Sequence, residues 1–391
     1  MYYQEIARNF TNTNTIMIDT IILSLPKGAY KILSPDDFKP SFEPINDWDE
    51  EQVSEFQRVH KGGKEYNHLL DLSSRQRGKV YPNLTIFEYY KKHKADYFCE
   101  LKITFSCPKL LRGQSFTEVK NKDFPRIIKT LTSRLKDIEV IISPSTLRTA
   151  TVTRVDYCKN MEYSSMAHAR AFLDRLRRCS FPKMENDLTR YANSGRAVRF
   201  HSDLFETIFY LKYYDLLEPL KRSVDRRRTP QEIAKAKYLQ KTKEIPPVVR
   251  METRFIGKTS VNSHLDSALG ITKGNWTFQE IFKEAYSSKV RKYYWNKIIS
   301  DPRNYAILTH PSDEDVCRKV LEEFKIRRPK GIFEGLGLFY VLKTLGVPEM
   351  KTIFTEQWNQ DTWFAKRNVI AEFATNYIKP ETAFIDRLSN G

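Results

Sequence analysis

Residues 196–215, RAVRFHSDLFETIFYLKYYD, decide how this chain folds. Val198 and Phe200 alternate with Arg199 and His201, a turn follows at Ser202-Asp203, and a second alternating run extends from Glu206 to Tyr214. A period of two belongs to half-buried strands, so the stretch predicts a β-hairpin. On its second strand Ile208, Tyr210, Lys212 and Tyr214 share one face, and Thr207, Phe209, Leu211 and Tyr213 share the other. A phenol therefore stands beside an ammonium, with the imidazole of His201 available from the partner strand.

Working outward, the same alternation recurs at 16–25 (IMIDTIILSL, stopped by Pro26-Lys27-Gly28), 96–106 (DYFCELKITFS), 151–157 (TVTRVDY) and 248–255 (VVRMETRF). Helical spacing separates them at 124–140 and 164–178. Beyond Gly257 strands give way to helical periodicity, in Phe278, Ile281, Phe282 and Ala285, then 316–324, 339–345 and 363–378. The expected fold is α+β: a flexible leader over 1–15, an antiparallel-sheet domain over 16–257, and a mainly helical domain over 258–391. Residues 36–51 and the basic clusters of 60–80 and 91–94 read as loops.

The chain of 391 residues carries 65 Lys and Arg against 48 Asp and Glu, a net charge of +17, which favours a polyanionic partner. A 40% hydrophobic content is enough to bury a core and argues against global disorder. The five cysteines form no Cys-x-x-Cys pair, so neither a disulfide framework nor a thiolate zinc site is expected, and a reducing cytoplasm fits. No apolar run approaches the roughly 20 residues of a membrane span. Walker-type and Gly-x-Ser-x-Gly loops are absent from the sequence, so any helicase would come from the host.

Three strands place a carboxylate on a face that also holds basic residues: Glu100 with Lys102, Asp156 with Arg154, and Glu252 with Arg250 and Arg254. A mid-strand carboxylate needs a partner when buried. Separate arginine–carboxylate pairs satisfy that need. So does an oxygen-rich Mg²⁺ or Mn²⁺ site built from Asp156, Glu252, Glu100 and His201. A tyrosine nucleophile would profit from a nearby cation, because its free pKa of about 10 leaves little phenolate at neutral pH. Core packing is the competing explanation for Tyr210. The run Arg226-Arg227-Arg228 either lines a solvated helix or grips phosphates.

Several short blocks carry a resemblance. They are Met17-Ile-Asp-Thr-Ile-Ile-Leu-Ser-Leu-Pro26, Cys99-Glu-Leu-Lys102, Ser106-Cys-Pro-Lys-Leu-Leu-Arg-Gly-Gln114, Thr153-Arg-Val-Asp156, Tyr210-Leu-Lys212 and Val249-Arg-Met-Glu252. In order and spacing they resemble the gene II/X replication initiators of filamentous phages and related plasmids, which are rolling-circle endonucleases. The resemblance implies a relaxase-like, site-specific nickase in which Tyr210 attacks one strand and forms a 5′-phosphotyrosine, with Lys212 at the phosphate. It further implies Asp156 and Glu252 as metal ligands, with Glu100 and His201 as lesser candidates. Origin DNA would be the substrate, contacted by Arg154, Arg250 and Arg226 to Arg228, and a host helicase and polymerase would be partners. The family's paired His-x-His is missing, and residues 35–95 have no counterpart. A non-catalytic DNA-binding copy-control protein and a hydrolytic metal-dependent nuclease remain as alternatives.

Overall fold

Alternation becomes pairing in a single antiparallel sheet, whose strands run in the order β3-β4-β5-β6-β1-β8-β12-β11-β10-β9. The strands are β1 (Ile18–Pro26), β3 (Phe38–Pro40), β4 (Gly63–Leu70), β5 (Asn83–Lys91), β6 (Asp96–Ser106), β8 (Thr151–Glu162), β9 (Arg190–Ala192), β10 (Ala197–His201), β11 (Phe205–Leu211) and β12 (Val248–Ile256). Two short strands, β2 (Lys31–Ile32) and β7 (Val140–Ile141), pair separately. The computed structural model describes residues 18–33, 38–40, 63–70, 80–91, 96–113, 115, 119–181, 190–192, 196–202, 205–214, 217, 233–234, 236–238, 241, 247–309, 316–318, 320, 322 and 329–378. The leader over 1–15 and the triplet Arg226 to Arg228 lie outside them.

The two faces of the central strands differ sharply. On β12 and β11, Val249, Met251, Phe255, Phe205, Phe209 and Leu211 are buried on one side. Helices α4 (Met166–Arg178), α5 (Lys258–Leu269) and α7 (Glu284–Ile299) cover that side. Phe209 meets Phe172 and Trp295, while Phe205 stacks on His264 and Tyr294, and Phe255 stacks on His264 and lies tilted against Tyr294. Truncating such a ring to alanine removes about 3–5 kcal/mol. The opposite side carries the charged residues.

The remaining helices are α1 (Cys107–Arg112), α2 (Phe124–Lys136), α3 (Pro144–Thr149), α6 (Phe278–Ile281), α8 (Pro302–Thr309), α9 (Pro329–Leu345), α10 (Val347–Gln357) and α11 (Gln360–Tyr377). Helices α8, α9 and α11 contribute a second small core around Tyr305, Phe339 and Phe373. The change of character at Gly257 does not coincide with a break in packing, because α5 and α7 complete the sheet's own core. Segments expected as loops instead supply β3, within 36–51, and β4, within 60–80, and with β5, a stretch given no assignment from sequence, they widen the sheet beyond β6. No described helix is long and apolar enough to cross a membrane. All five cysteines are free, and burial pushes the thiols of Cys107, Cys158 and Cys179 well above their ordinary range.

Candidate active site

Strand register assembles the polar face. Opposite one another on β11 and β12 stand Tyr210 and Arg250, Ile208 and Glu252, and Glu206 and Arg254. On the other side of β12, Arg250 faces Asn160, Glu252 faces Cys158, Arg254 faces Asp156, and Ile256 faces Arg154 of β8. A long side chain on a strand also reaches the diagonal neighbour two residues along. Tyr210 does so: its Oη donates to Glu252 Oε1 at 2.5 Å.

Glu252 is the hub. Its Oε2 accepts from Arg254 Nη2 at 2.6 Å and from Nε at 3.2 Å, and Arg250 Nη1 lies 3.9 Å from Oε1. Burial alone would push its carboxyl up, but Arg254, Arg250 and Lys212 outweigh that and hold it below the ordinary carboxylate range. Arg254 spans three acids, giving Nη1 to Glu206 Oε2 at 2.8 Å and lying 3.9 Å from Asp156. Asp156 is clasped by Arg154 through Nε and Nη2 at 2.9 and 2.8 Å. Burial nevertheless pushes Asp156 up to about 6, the two arginines offsetting part of that effect. Arg199 of β10 pairs with Glu206 to close the row.

Arg250 is 0% exposed and acts within the fold. It donates to Asn160 Oδ1 at 2.8 Å and to the carbonyl oxygen of Ser115 at 2.5 Å, and it lies 3.6 Å from Asp19. Lys212 is buried too, with Nζ 3.2 Å from Ser115 Oγ and 5.6 Å from the centre of the Tyr210 ring. Strand β11 ends at Leu211, and Lys212 to Tyr214 make a helical turn, so alternation no longer sets Tyr214 on the face of Tyr210. Tyr210 itself is half-buried rather than sealed in the core.

The expected residues are thus brought together in part. Tyr210, Lys212, Glu252, Asp156, Arg154 and Arg250 share one neighbourhood, with Arg250 enclosed rather than presented to a ligand. Glu100 does not join them. It stands opposite Pro26 at the far end of β1, paired with Lys102 at 3.5 Å, more than roughly 20 Å away by strand spacing and rise. His201 lies opposite Glu206 at the margin of the face, beyond Ile208 from Tyr210. Asp19, Ser115, Asn160 and Glu206 are part of the network although their sequence context gave them no role. For Glu206 a signal existed, since alternation puts it on the Tyr210 face.

A divalent ion does not fit the donors as arranged. Both Asp156 oxygens are engaged by Arg154, and both Glu252 oxygens by Tyr210 and Arg254. The site also carries several fixed cations, which would repel a metal. Among the described residues no cluster of three or more His, Cys, Asp or Glu is placed to hold a metal. No protein-family model, curated protein or solved structure matches the chain.

Proposed function

We propose that this protein is a tyrosine-dependent DNA nickase that starts rolling-circle replication, with Tyr210 as nucleophile and Glu252 as its proton acceptor. The observation that carries the reading is the short Tyr210–Glu252 hydrogen bond on a half-exposed phenol, set among arginines. The resemblance of the Tyr-Leu-Lys, Arg-Val-Asp and Arg-Met-Glu blocks to the gene II/X initiators, and the net charge of +17, point the same way.

In this reading Tyr210 Oη attacks the scissile phosphorus while Glu252 takes the phenolic proton. The bond from phosphorus to the 3′-oxygen breaks, the 5′-phosphate stays on Tyr210, and the proton passes to the departing 3′-oxygen or to solvent. Arg254, Arg154 and Arg199, whose side chains are 23%, 28% and 42% exposed, are the cations a phosphate can approach. Buried Lys212 and Arg250 act through their field, keeping Glu252 ionised. The reverse step rejoins the strand, and the free 3′-OH serves a host polymerase.

The test is a supercoiled plasmid carrying the DNA that flanks the gene for this chain, together with an end-labelled oligonucleotide of one strand. The expected result is relaxation and a covalent adduct with the parent protein, and neither with Tyr210→Phe. Equal activity in Tyr210→Phe would remove this residue from the chemistry. Cleavage without an adduct would favour hydrolysis by activated water, and binding without cleavage a copy-control protein.

A further inference from the structure

Charge is spread unevenly over this chain. Helix α2 has four Lys and Arg and no acid, and α7 has four against one. Residues 329–377, which form α9, α10 and α11, instead hold five Lys and Arg against five Asp and Glu. The whole excess of +17 therefore lies outside these three helices. They also carry five of the ten large hydrophobic side chains exposed among the described residues: Phe333, Val341, Ile353, Trp358 and Phe364. Such a face offers no net attraction to a polyanion. It suits another protein surface, because interface cores are poor in charge and rich in aromatic rings.

The patch is held in shape. Trp358, 62% exposed, leans on Phe354 with ring centroids 5.1 Å apart, and Phe354 in turn meets buried Trp363. The guanidinium of Arg367 lies 5.5 Å from the centre of the Phe364 ring. Glu334 of α9 and Lys366 of α11, both exposed, pair at 2.5 Å, so the solvent-facing sides of the two helices adjoin. The missing side chain of Gly335 lets α9 close on Phe373, whose Cδ2 would stand 2.7 Å from an added Cβ. Gly337 is the opposite case, exposed and with nothing within 4 Å of where its Cβ would be. Phe333 and Val341 flank it one turn to either side, so the outer face of α9 has a notch between two apolar side chains.

We propose that this face of α9, α10 and α11 docks a second copy of the chain, the exposed rings of each copy set against the Gly337 notch of the other. Two copies at +17 repel over most of their surfaces, so a face without net charge is where they can meet. Helix α9 has 17 residues. At helical rise that is about 25 Å, and two adjoining helices are about 20 Å across, so each copy offers about 500 Å² and the pair about 1,000 Å². That is the size of a reversible dimer rather than a permanent one. The contact does not depend on the chemistry of Tyr210.

The experiment is sedimentation of the nuclease-treated full chain from about 2 to about 100 μM, in about 0.1 and about 0.5 M NaCl. The mass should rise from one chain to two across that range. Association should be at least as tight at the higher salt, because screening weakens the repulsion between like-charged copies. Trp358→Gln, Phe364→Gln and Gly337→Gln alter exposed positions without changing the charge, so each should melt no lower than about the parent and weaken association about 10-fold or more. Gly337→Gln is the sharpest of the three, since it improves the helix while filling the notch. Ile271→Gln, which removes an exposed apolar side chain elsewhere, should dimerise like the parent. A single chain at every concentration would overturn the proposal and leave the face to residues 379–391 of the same chain or to a different protein. Dimers that persist in all three variants would also overturn it. So would dimers that dissolve at the higher salt, the mark of bridging by residual nucleic acid.

Discussion

Replacing Glu252 by glutamine tests whether this carboxylate balances the buried cations and accepts the phenolic proton. The side chain keeps its shape but loses its charge, so Arg254 loses the anion now 2.6 Å from Nη2, and fully enclosed Arg250 loses an anion 3.9 Å away. Breaking a buried pair from one side costs about 3–5 kcal/mol, and the 23% exposure of the Arg254 side chain sets the lower end, about 3. Removing both partners should cost less than the sum of the single losses, because neither Glu252 nor Arg254 is then left facing the other's vacated place. Urea unfolding followed by tryptophan fluorescence would measure Glu252→Met, Arg254→Met and the double variant. The expected coupling is at least about 2 kcal/mol, whereas agreement with additivity within about 0.5 kcal/mol would refute the hub. In the same preparation Glu252→Gln should keep oligonucleotide binding but form the adduct roughly 10²–10⁴ times more slowly. Adduct formation at the parent rate would show that the short hydrogen bond only positions the ring.

Burial against Phe255 and Phe205, and then Lys297, lower the His264 imidazole to about 4 from its ordinary 6.5. Between those pH values the unfolded chain binds a proton that the folded chain does not, so the contribution is complete above pH 6.5 and lost as pH falls towards 4. Discounted for partial exposure, the loss is about 1–2 kcal/mol. Asp156 works in the opposite sense below about 6, so the measurement is the difference between parent and His264→Gln from pH 7.5 to 4.5, and a difference independent of pH would refute it. At Gly346 the backbone φ is +86°, and an added Cβ would fall 2.6 Å from Arg178 Cβ and 2.8 Å from its carbonyl oxygen. Gly346→Ala should therefore destabilise by about 2 kcal/mol or more, and a change below 0.5 kcal/mol in urea would show that α4 and the α9–α10 turn separate freely. If six to ten phosphates are contacted, DNA affinity should fall by about 10³–10⁵ between 50 and 200 mM salt, and a slope near zero would exclude polyanion binding.

How far the sequence reveals the molecule depends on which physical signal each part carries. The hairpin, β1, β6, β8 and β12 were legible because one face is apolar and the other charged, and alternation follows directly from the pleat. Strand β4, GKEYNHLL, lacks such contrast and so resembled loop, and β5, which runs into the basic stretch beginning at Lys91, was given no assignment. The end of β11 was hidden for the opposite reason. Lys212-Tyr213-Tyr214 continues the alternation, although the chain turns helical after Leu211. Helix α5 begins beyond Gly257, which adopts φ +90°, and its sparse apolar spacing over Lys258–Leu269 gives little warning that it packs on β8 and β12.

Within the site, alternation assigns a face but not a neighbour. Residues two apart on one strand are about 7 Å apart and adjacent strands about 4.8 Å, so a patterned Arg-x-Asp or Arg-x-Glu-x-Arg can be completed from either side. Which acid meets which base is settled by long-range register: β8 beside β12 gives Asp156 to Arg254, and β1 beside β8 carries Asp19 towards Arg250. The same pairing shows how these acids are held in the structure, by basic side chains. Asp156, Glu252 and Glu206 are each met by guanidinium groups on their own strand or the next, so this face can be buried without an ion. That mutual neutralisation also keeps Glu252 charged and in place beneath Tyr210, because moving it would strand Arg254 and Arg250. The charge ladder is therefore both a stabilising device and the means by which one phenol, among many tyrosines in this chain, has an ionised acceptor at its hydroxyl.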